Sequence, residues 1–364
     1  MPTGIVVGAG VFGASLADRL ALEGWEVTLV DAREPGDPRA ESGGETRLIR
    51  CSHGADALYA RSARRARELW LELDPDLLVE SGVAWFARRE EGWEADSERV
   101  LGRLGIPVER LTPDEGARLF PSLATDDMAF VLHEPEAGVL RAGEATRALV
   151  SRAREAGTRL RLGEAVPAGA AVALEATVLE ADAVVWASGA WLARLFPGLV
   201  DLRVTLQQAV LFQAPPEWRG PGWVDFEGAL YGHALVEPHG LKVASDADGP
   251  PVDPSTRPLE AGREAVAAAR AYLARRFPAL ADAPMASAPA CHYSLTADSN
   301  FVFARHPEHE GVWLLGGGSG HGFKHGPALA EHAAAVLAGR AEPEPRFALG
   351  ERRPSASFRT AGSG

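Results

Sequence analysis

The chain has 364 residues, with Lys+Arg 37 against Asp+Glu 50 and a formal net charge of −13 at pH 7. That balance argues against a nucleic-acid partner and against anchoring on anionic lipid. Two cysteines, Cys51 and Cys291, are too few for a disulfide scaffold or a cysteine-rich zinc site. The apolar stretches are too short to span a membrane, and no basic stretch precedes the first apolar run. A cytoplasmic location is expected. At roughly 150 residues per domain, the length suggests two domains.

Taken in order, Ile5–Val7 reads as a strand, followed by Gly8-Ala9-Gly10-Val11-Phe12-Gly13. A helix carrying Leu16, Leu20 and Leu22 ends at Gly24, and a second strand from Glu26 to Val30 closes on Asp31. Helical spacing recurs over 56–73 and 142–156. Residues 83–87 and 129–133 read as strands, and Thr112-Pro113-Asp114-Glu115 opens a short capped helix. Strands are expected at 183–187, 204–213, 230–236, 240–244 and 312–316, and a long helix over 257–276. Pro327 opens the last helix, and the tail from Ala341 is expected to be loose at its end. This pattern predicts an α/β fold: a Rossmann-like domain of discontinuous segments (1–80, 139–203, 290–364) and an antiparallel-sheet substrate domain (81–138, 204–289).

The Gly8/Gly10/Gly13 loop between a strand and a helix brings backbone N–H groups to a pyrophosphate. Asp31, 23 residues after Gly8, accepts from a ribose 2′-hydroxyl. The pair points to FAD or NAD rather than NADP. A second glycine-rich turn, Gly316 to Gly322, feeds the last helix. Two such turns far apart in sequence suit a large flat cofactor and favour FAD.

One compositional oddity stands apart. Only two lysines occur, Lys242 and Lys324, while every other basic residue is arginine. A lysine kept in such a chain marks a position that arginine cannot fill.

The segments IVVGAGVFGASLADRLALEG, GGETRLIRCSHG, ADAVVWASGAWLARLFP, ALYGHALVEPHGLKVA and ACHYSLTADSNFVFARHPEHEGVWLLGGGSGHGFKHGPALAE carry a family resemblance. The chain resembles the D-amino-acid-oxidase-like FAD oxidoreductases, and within them the sarcosine oxidase branch. The resemblance implies FAD-dependent oxidation of a secondary or cyclic amino acid, with O2 reduced to hydrogen peroxide, by a monomer. It implies FAD contacts from Gly8, Gly10, Val11, Phe12, Gly13, Asp31, Ser42, Thr46, Gly189, Gly318, Gly320, His321, Gly322, Phe323 and Lys324. It implies a thioether from Cys291, in Cys291-His292-Tyr293, to the flavin. Lys242 matches the lysine that promotes reaction with oxygen, Arg47 an arginine against the flavin face, and Arg50 with Lys324 the clamp on the substrate carboxylate. Tyr231 and Tyr293 match aromatic residues of the substrate pocket.

Two positions depart from that branch. Gly43 replaces a histidine and is expected to remove bulk beside the flavin. Asp246 replaces a histidine near the substrate amine and favours a more cationic or polar substrate. His53, His233 and His325 are expected along the cleft, with no metal-binding spacing. Two other readings stand beside the oxidase: a dehydrogenase that passes electrons to another acceptor, and a flavin-binding protein without turnover.

Overall fold

A computed structural model describes residues 1–216, 218–234 and 240–354. The first strand, β1 (Thr3–Val7), lies in the middle of a six-stranded sheet. On one side it pairs in parallel with β2 (Glu26–Asp31), which pairs with Arg159–Leu162. On the other it pairs with Ala183–Trp186, which pairs with Val312–Gly316; Val302–Arg305 closes that edge antiparallel. A central parallel strand is covered on both faces, so it reads as a continuous apolar run.

The two faces are covered differently. Val6, Leu29 and Val185 pack under helix α1 (Val11–Leu22) and the Ala142–Glu155 and Gly326–Leu337 helices. Ile5, Val7, Val184 and Trp186 pack instead against Val172 and Leu174. Those two residues belong to a three-stranded meander, Ala165–Ala168, Ala171–Leu174 and Thr177–Leu179. The strands of this meander are too short to show a clear period in the sequence.

The second sheet has nine strands and is antiparallel except at one junction. There Gly222–Asp225 runs parallel to Val83–Ala87, because two hairpin systems from distant parts of the chain meet edge to edge. The expected antiparallel sheet is therefore present, with this one parallel junction inside it. Ala290–Leu295 belongs to this layer, paired along Arg203–Phe212, although the sequence-based division grouped it with the dinucleotide-binding segments. Four tryptophans, Trp70, Trp85, Trp186 and Trp223, are fully buried. Truncating such a side chain to Ala costs about 3–5 kcal/mol.

Several boundaries moved. The helix expected over 257–276 begins at Arg263. Pro258 and Gly262 keep the preceding stretch extended, and Ala261 N donates to Ala288 O. Arg257 is buried there, with its guanidinium on His292 Nδ1 and on the Ala290 and Pro38 carbonyls. A helix at Trp93–Leu104 was not foreseen. The expected 230–236 strand is Leu230–His233 as far as it is described; 235–239 lie outside the described residues. The tail holds to the body further than expected: Arg346 bonds Asp56, Phe347 is buried, and Arg352 bonds Asp298. Residues 355–364 lie outside the described residues. Among the described residues, no helix is long and apolar enough to cross a membrane.

Candidate active site

The two layers enclose a cleft of about 650 Å³. Both glycine-rich turns reach it. Gly8, Gly10, Val11 and Phe12 line it from the first turn, and Gly317, Gly318, Gly320, His321, Gly322, Phe323 and Lys324 from the second. The backbone must be glycine at the tightest points. Gly8 has φ +112°, and a Cβ on it would lie 2.3 Å from Ala187 O. A Cβ on Gly13 would lie 1.8 Å from Gly8 O, so Gly13 does not line the cleft but lets α1 pack against the turn beneath it. Helix α1 starts behind Gly10, whose lack of a side chain leaves its open N–H groups to other partners. Ser42 Oγ accepts one of them, from Val11 N at 2.8 Å.

Asp31 ends β2 at the cleft and accepts from Ala9 N at 2.5 Å and Arg33 N at 2.9 Å. Burial pushes its carboxyl up against these two hydrogen bonds. Gly189 lines the cleft at φ +53°, where a Cβ would meet Glu41 Oε2 at 2.8 Å. Glu41 was missed in the sequence. It lines the cleft, accepts from Ser294 N at 2.7 Å and Ser294 Oγ at 2.8 Å, and is raised by burial. Its one sequence signal is its place beside Ser42 in the same loop.

This donor and acceptor set fits FAD. A cleft lined by two glycine turns, with the N-terminus of α1 and a carboxylate beside the first of them, is the chemistry a dinucleotide requires.

Arg47 lines the cleft, with NH1 on Thr46 O at 2.8 Å and NH2 on the Glu41 and Gly43 carbonyls. Thr46 itself does not line it: its Oγ1 is 3.0 Å from His233 Nε2, behind the wall. Gly43 does not line it either, and a Cβ there would strike Asp37 O at 2.4 Å. Glycine at 43 therefore serves the packing of the 37–40 turn and does not open space at the cleft.

Two cations come together in the same region. Arg50 and Lys324 are both buried, both line the cleft, and the Arg50 charge acts on Lys324. Burial holds Lys324 well below the ordinary lysine value, and the Arg50 charge adds to this. Lys324 Nζ donates to His321 O at 2.8 Å. The Arg50 guanidinium lies 5.0 Å from the Trp85 ring centroid and donates to Ser52 O at 2.5 Å. Asp246 lines the cleft close enough for its charge to act on Arg50, Lys324, Tyr231 and Tyr293.

Tyr231 and Tyr293 line the cleft with hydroxyls 3.4 Å apart. Burial pushes Tyr231 up to about 12 and holds Tyr293 well above the ordinary tyrosine value, aided there by the charges of Tyr231 and Asp246. Lys242 stands one layer back, with Nζ 3.5 Å from Thr46 O and 5.6 Å from the Tyr231 ring centroid. Burial, then the Arg47 charge, pushes it down to about 8. Cys291, two residues before Tyr293 on one strand, faces the same side but does not itself line the cleft. Cys51, by contrast, is buried and its thiol is pushed up to about 12 by desolvation.

The histidines are arranged otherwise than expected. His53, His233 and His325 are buried behind the cleft and do not line it. His53, His321 and His325, far apart in sequence, bring ring nitrogens within 4.8 Å of one another.

Comparison with known proteins agrees with this geometry. A monomeric sarcosine oxidase of Bacillus sp. (strain B-0618) is 29% identical over 351 residues, 90% of each chain. An N-methyl-L-tryptophan oxidase of Salmonella enteritidis PT4 is 27% identical over 354 residues, covering 92% of this chain and 94% of that one. The fold matches an L-proline dehydrogenase from P. horikoshii with a TM-score of 0.83 at 24% identity, over 95% of both chains. It matches a glycine oxidase from Geobacillus kaustophilus with a TM-score of 0.80 at 22% identity, over 97% of this chain and 100% of that one. Residues 5–336 match the FAD dependent oxidoreductase (DAO) family along both glycine turns and the cleft between them, and the chain belongs to that family.

Proposed function

We propose that this protein oxidises the CH–NH bond of a secondary or cyclic amino acid to the imine, with O2 reduced to hydrogen peroxide. The observation that carries the reading is the meeting of Arg50 and Lys324 in the cleft between the glycine turns. A bidentate guanidinium with an ammonium beside it suits a carboxylate. The names of the sarcosine and N-methyl-L-tryptophan oxidases point to amino acids with a secondary amine.

On this reading the six-stranded sheet belongs to the cofactor-binding unit and the nine-stranded sheet to the substrate-binding unit, within a monomer. When bound, FAD would supply the two-electron acceptor for the amino acid and the route by which those electrons reach O2. Gly8, Gly10, Val11, Phe12, Asp31, Ser42, Gly189 and the Gly318–Lys324 turn would hold it, with Cys291 as its covalent anchor. Arg50 and Lys324 bind and orient the substrate carboxylate. Asp246 takes the amine end, so the two charges of a zwitterion meet complementary groups. Tyr231 and Tyr293 form part of the wall that shields the reacting carbon from water. The Lys242 ammonium stabilises the negative charge that oxygen acquires on reduction. The amino acid loses two electrons and two protons, oxygen gains both, and water hydrolyses the released imine.

The test is anaerobic mixing of the yellow protein with sarcosine, N-methyl-L-tryptophan, L-proline and L-pipecolate. Bleaching of the flavin by at least one of them, with hydrogen peroxide formed in air, is the expected result. No bleaching by any of the four overturns the reading. Bleaching that persists for minutes in air replaces the oxidase with a dehydrogenase.

A further inference from the structure

The buried imidazole cluster behind Arg50 has a defined hydrogen-bond order. His53 Nδ1 lies 3.0 Å from Cys51 O, which can only accept, so Nδ1 carries the proton. In the neutral ring His53 Nε2 is then an acceptor. It faces two donors, Arg50 NH1 at 2.9 Å and His325 Nε2 at 3.3 Å. His325 Nε2 must therefore carry its proton, and His325 Nδ1 accepts from Ser62 Oγ at 3.0 Å. One carbonyl thus sets both tautomers, and the order runs from the Ala57–Leu73 helix to the cleft wall.

We propose that His53, locked as its Nδ1–H tautomer and backed by His325, positions the Arg50 guanidinium for the anionic group of the substrate. The inference rests on the reading of Arg50 as a carboxylate ligand. The guanidinium is held on its face by Trp85 and along NH1 by Ser52 O and His53 Nε2. The 51–53 turn is itself fixed, since Glu134 accepts from Cys51 N at 2.6 Å and Ser52 N at 3.2 Å.

The arrangement works only with neutral rings, because an imidazolium would turn an N–H toward the guanidinium. The groups around His53 keep it neutral. Arg50, Lys324, His321 and His325 all oppose a proton there, Tyr59 stacks on the ring at 5.7 Å, and burial adds the largest share. The same surroundings make the trio unsuited to a metal ion: two ring nitrogens already hold each other, and Arg50 and Lys324 bring positive charge alongside.

The test uses acetate as the probe, titrated into the flavin-loaded protein and followed by the flavin absorption spectrum. Arg50→Met is expected to abolish the response. His53→Leu is expected to weaken acetate about tenfold, the loss of one hydrogen bond to a charged group. His53→Gln, whose Oε1 can replace Nε2 as acceptor, is expected to restore affinity to within about threefold. Unchanged affinity in His53→Leu with loss in Arg50→Met overturns the positioning role alone. Unchanged affinity in Arg50→Met overturns the carboxylate reading and this inference with it. Should His53→Leu fail to fold, ¹⁵N-histidine NMR of the unaltered protein decides: His53 is expected as Nδ1–H and His325 as Nε2–H at pH 7. An Nε2–H or doubly protonated His53 overturns the proposal.

Discussion

The Lys242 ammonium lies 5.6 Å from the Tyr231 ring centroid and 3.5 Å from Thr46 O. It is one of only two lysines in the chain, and the other, Lys324, lines the cleft that Lys242 stands one layer behind. Both lysines therefore gather at one site, where their lack of a planar guanidinium lets them be desolvated and tuned.

Lys242→Met is expected to slow reoxidation of reduced flavin by air about 10²–10³-fold, with little change in the rate of reduction by substrate. Burial pushes this lysine down to about 8, so its charge is present below that pH and lost above it. The reoxidation rate should accordingly fall as pH rises through about 8. Stopped-flow measurements of the two half-reactions check both points. Equal slowing of both half-reactions would remove the role assigned to Lys242.

Cys291 faces the same side of its strand as Tyr293, which lines the cleft. Acid precipitation of the unaltered protein should leave the yellow colour in the pellet, and a flavin-bearing peptide should contain Cys291. Cys291→Ser should release the colour as free FAD. Colour in the supernatant of the unaltered protein reduces Cys291 to a packed thiol.

Gly13→Ala places a methyl 1.8 Å from Gly8 O. Either α1 or the glycine turn must shift, so we expect a loss of about 2–4 kcal/mol of stability and poor retention of FAD. Thermal unfolding with and without added FAD separates the two effects. Gly24→Ala is the control for glycine loss without a clash, since nothing lies within 4 Å there. Its cost comes from φ +83° alone.

Arg276 is fully buried and bridges Asp127 at 2.7 Å and the fully buried Asp225 at 3.3 Å. Arg276→Leu leaves Asp225 with Arg88 as its remaining ion pair among those described. Because Arg88 still pairs with Asp225, the cost should fall below the about 3–5 kcal/mol of a buried charge left without a partner. Urea unfolding should show the lower midpoint, while the cleft, formed by other residues, should still bind FAD.

What was legible in the sequence is what short range dictates. The strand, the Gly8–Gly13 turn, helix α1 and Asp31 follow from local spacing, turn geometry and period, and the structure has them in those places. The scarcity of lysine likewise marked Lys242 and Lys324 before any fold was known.

Tertiary structure decided what depends on distant parts of the chain meeting. Arg50 and Lys324 are 274 positions apart, and only the packing of the second glycine turn against the 50–53 segment brings them together. The His53–His325 pair forms through the same approach. Thr46 and Gly43 lay in the right loop, but the Thr46 side chain turns to His233 and the Gly43 backbone packs against the 37–40 turn, so neither lines the cleft. The meander that covers the second face of the six-stranded sheet also lay beyond local reading. Its strands of three or four residues hold no period of their own, and the apolar face they cover is what orders them.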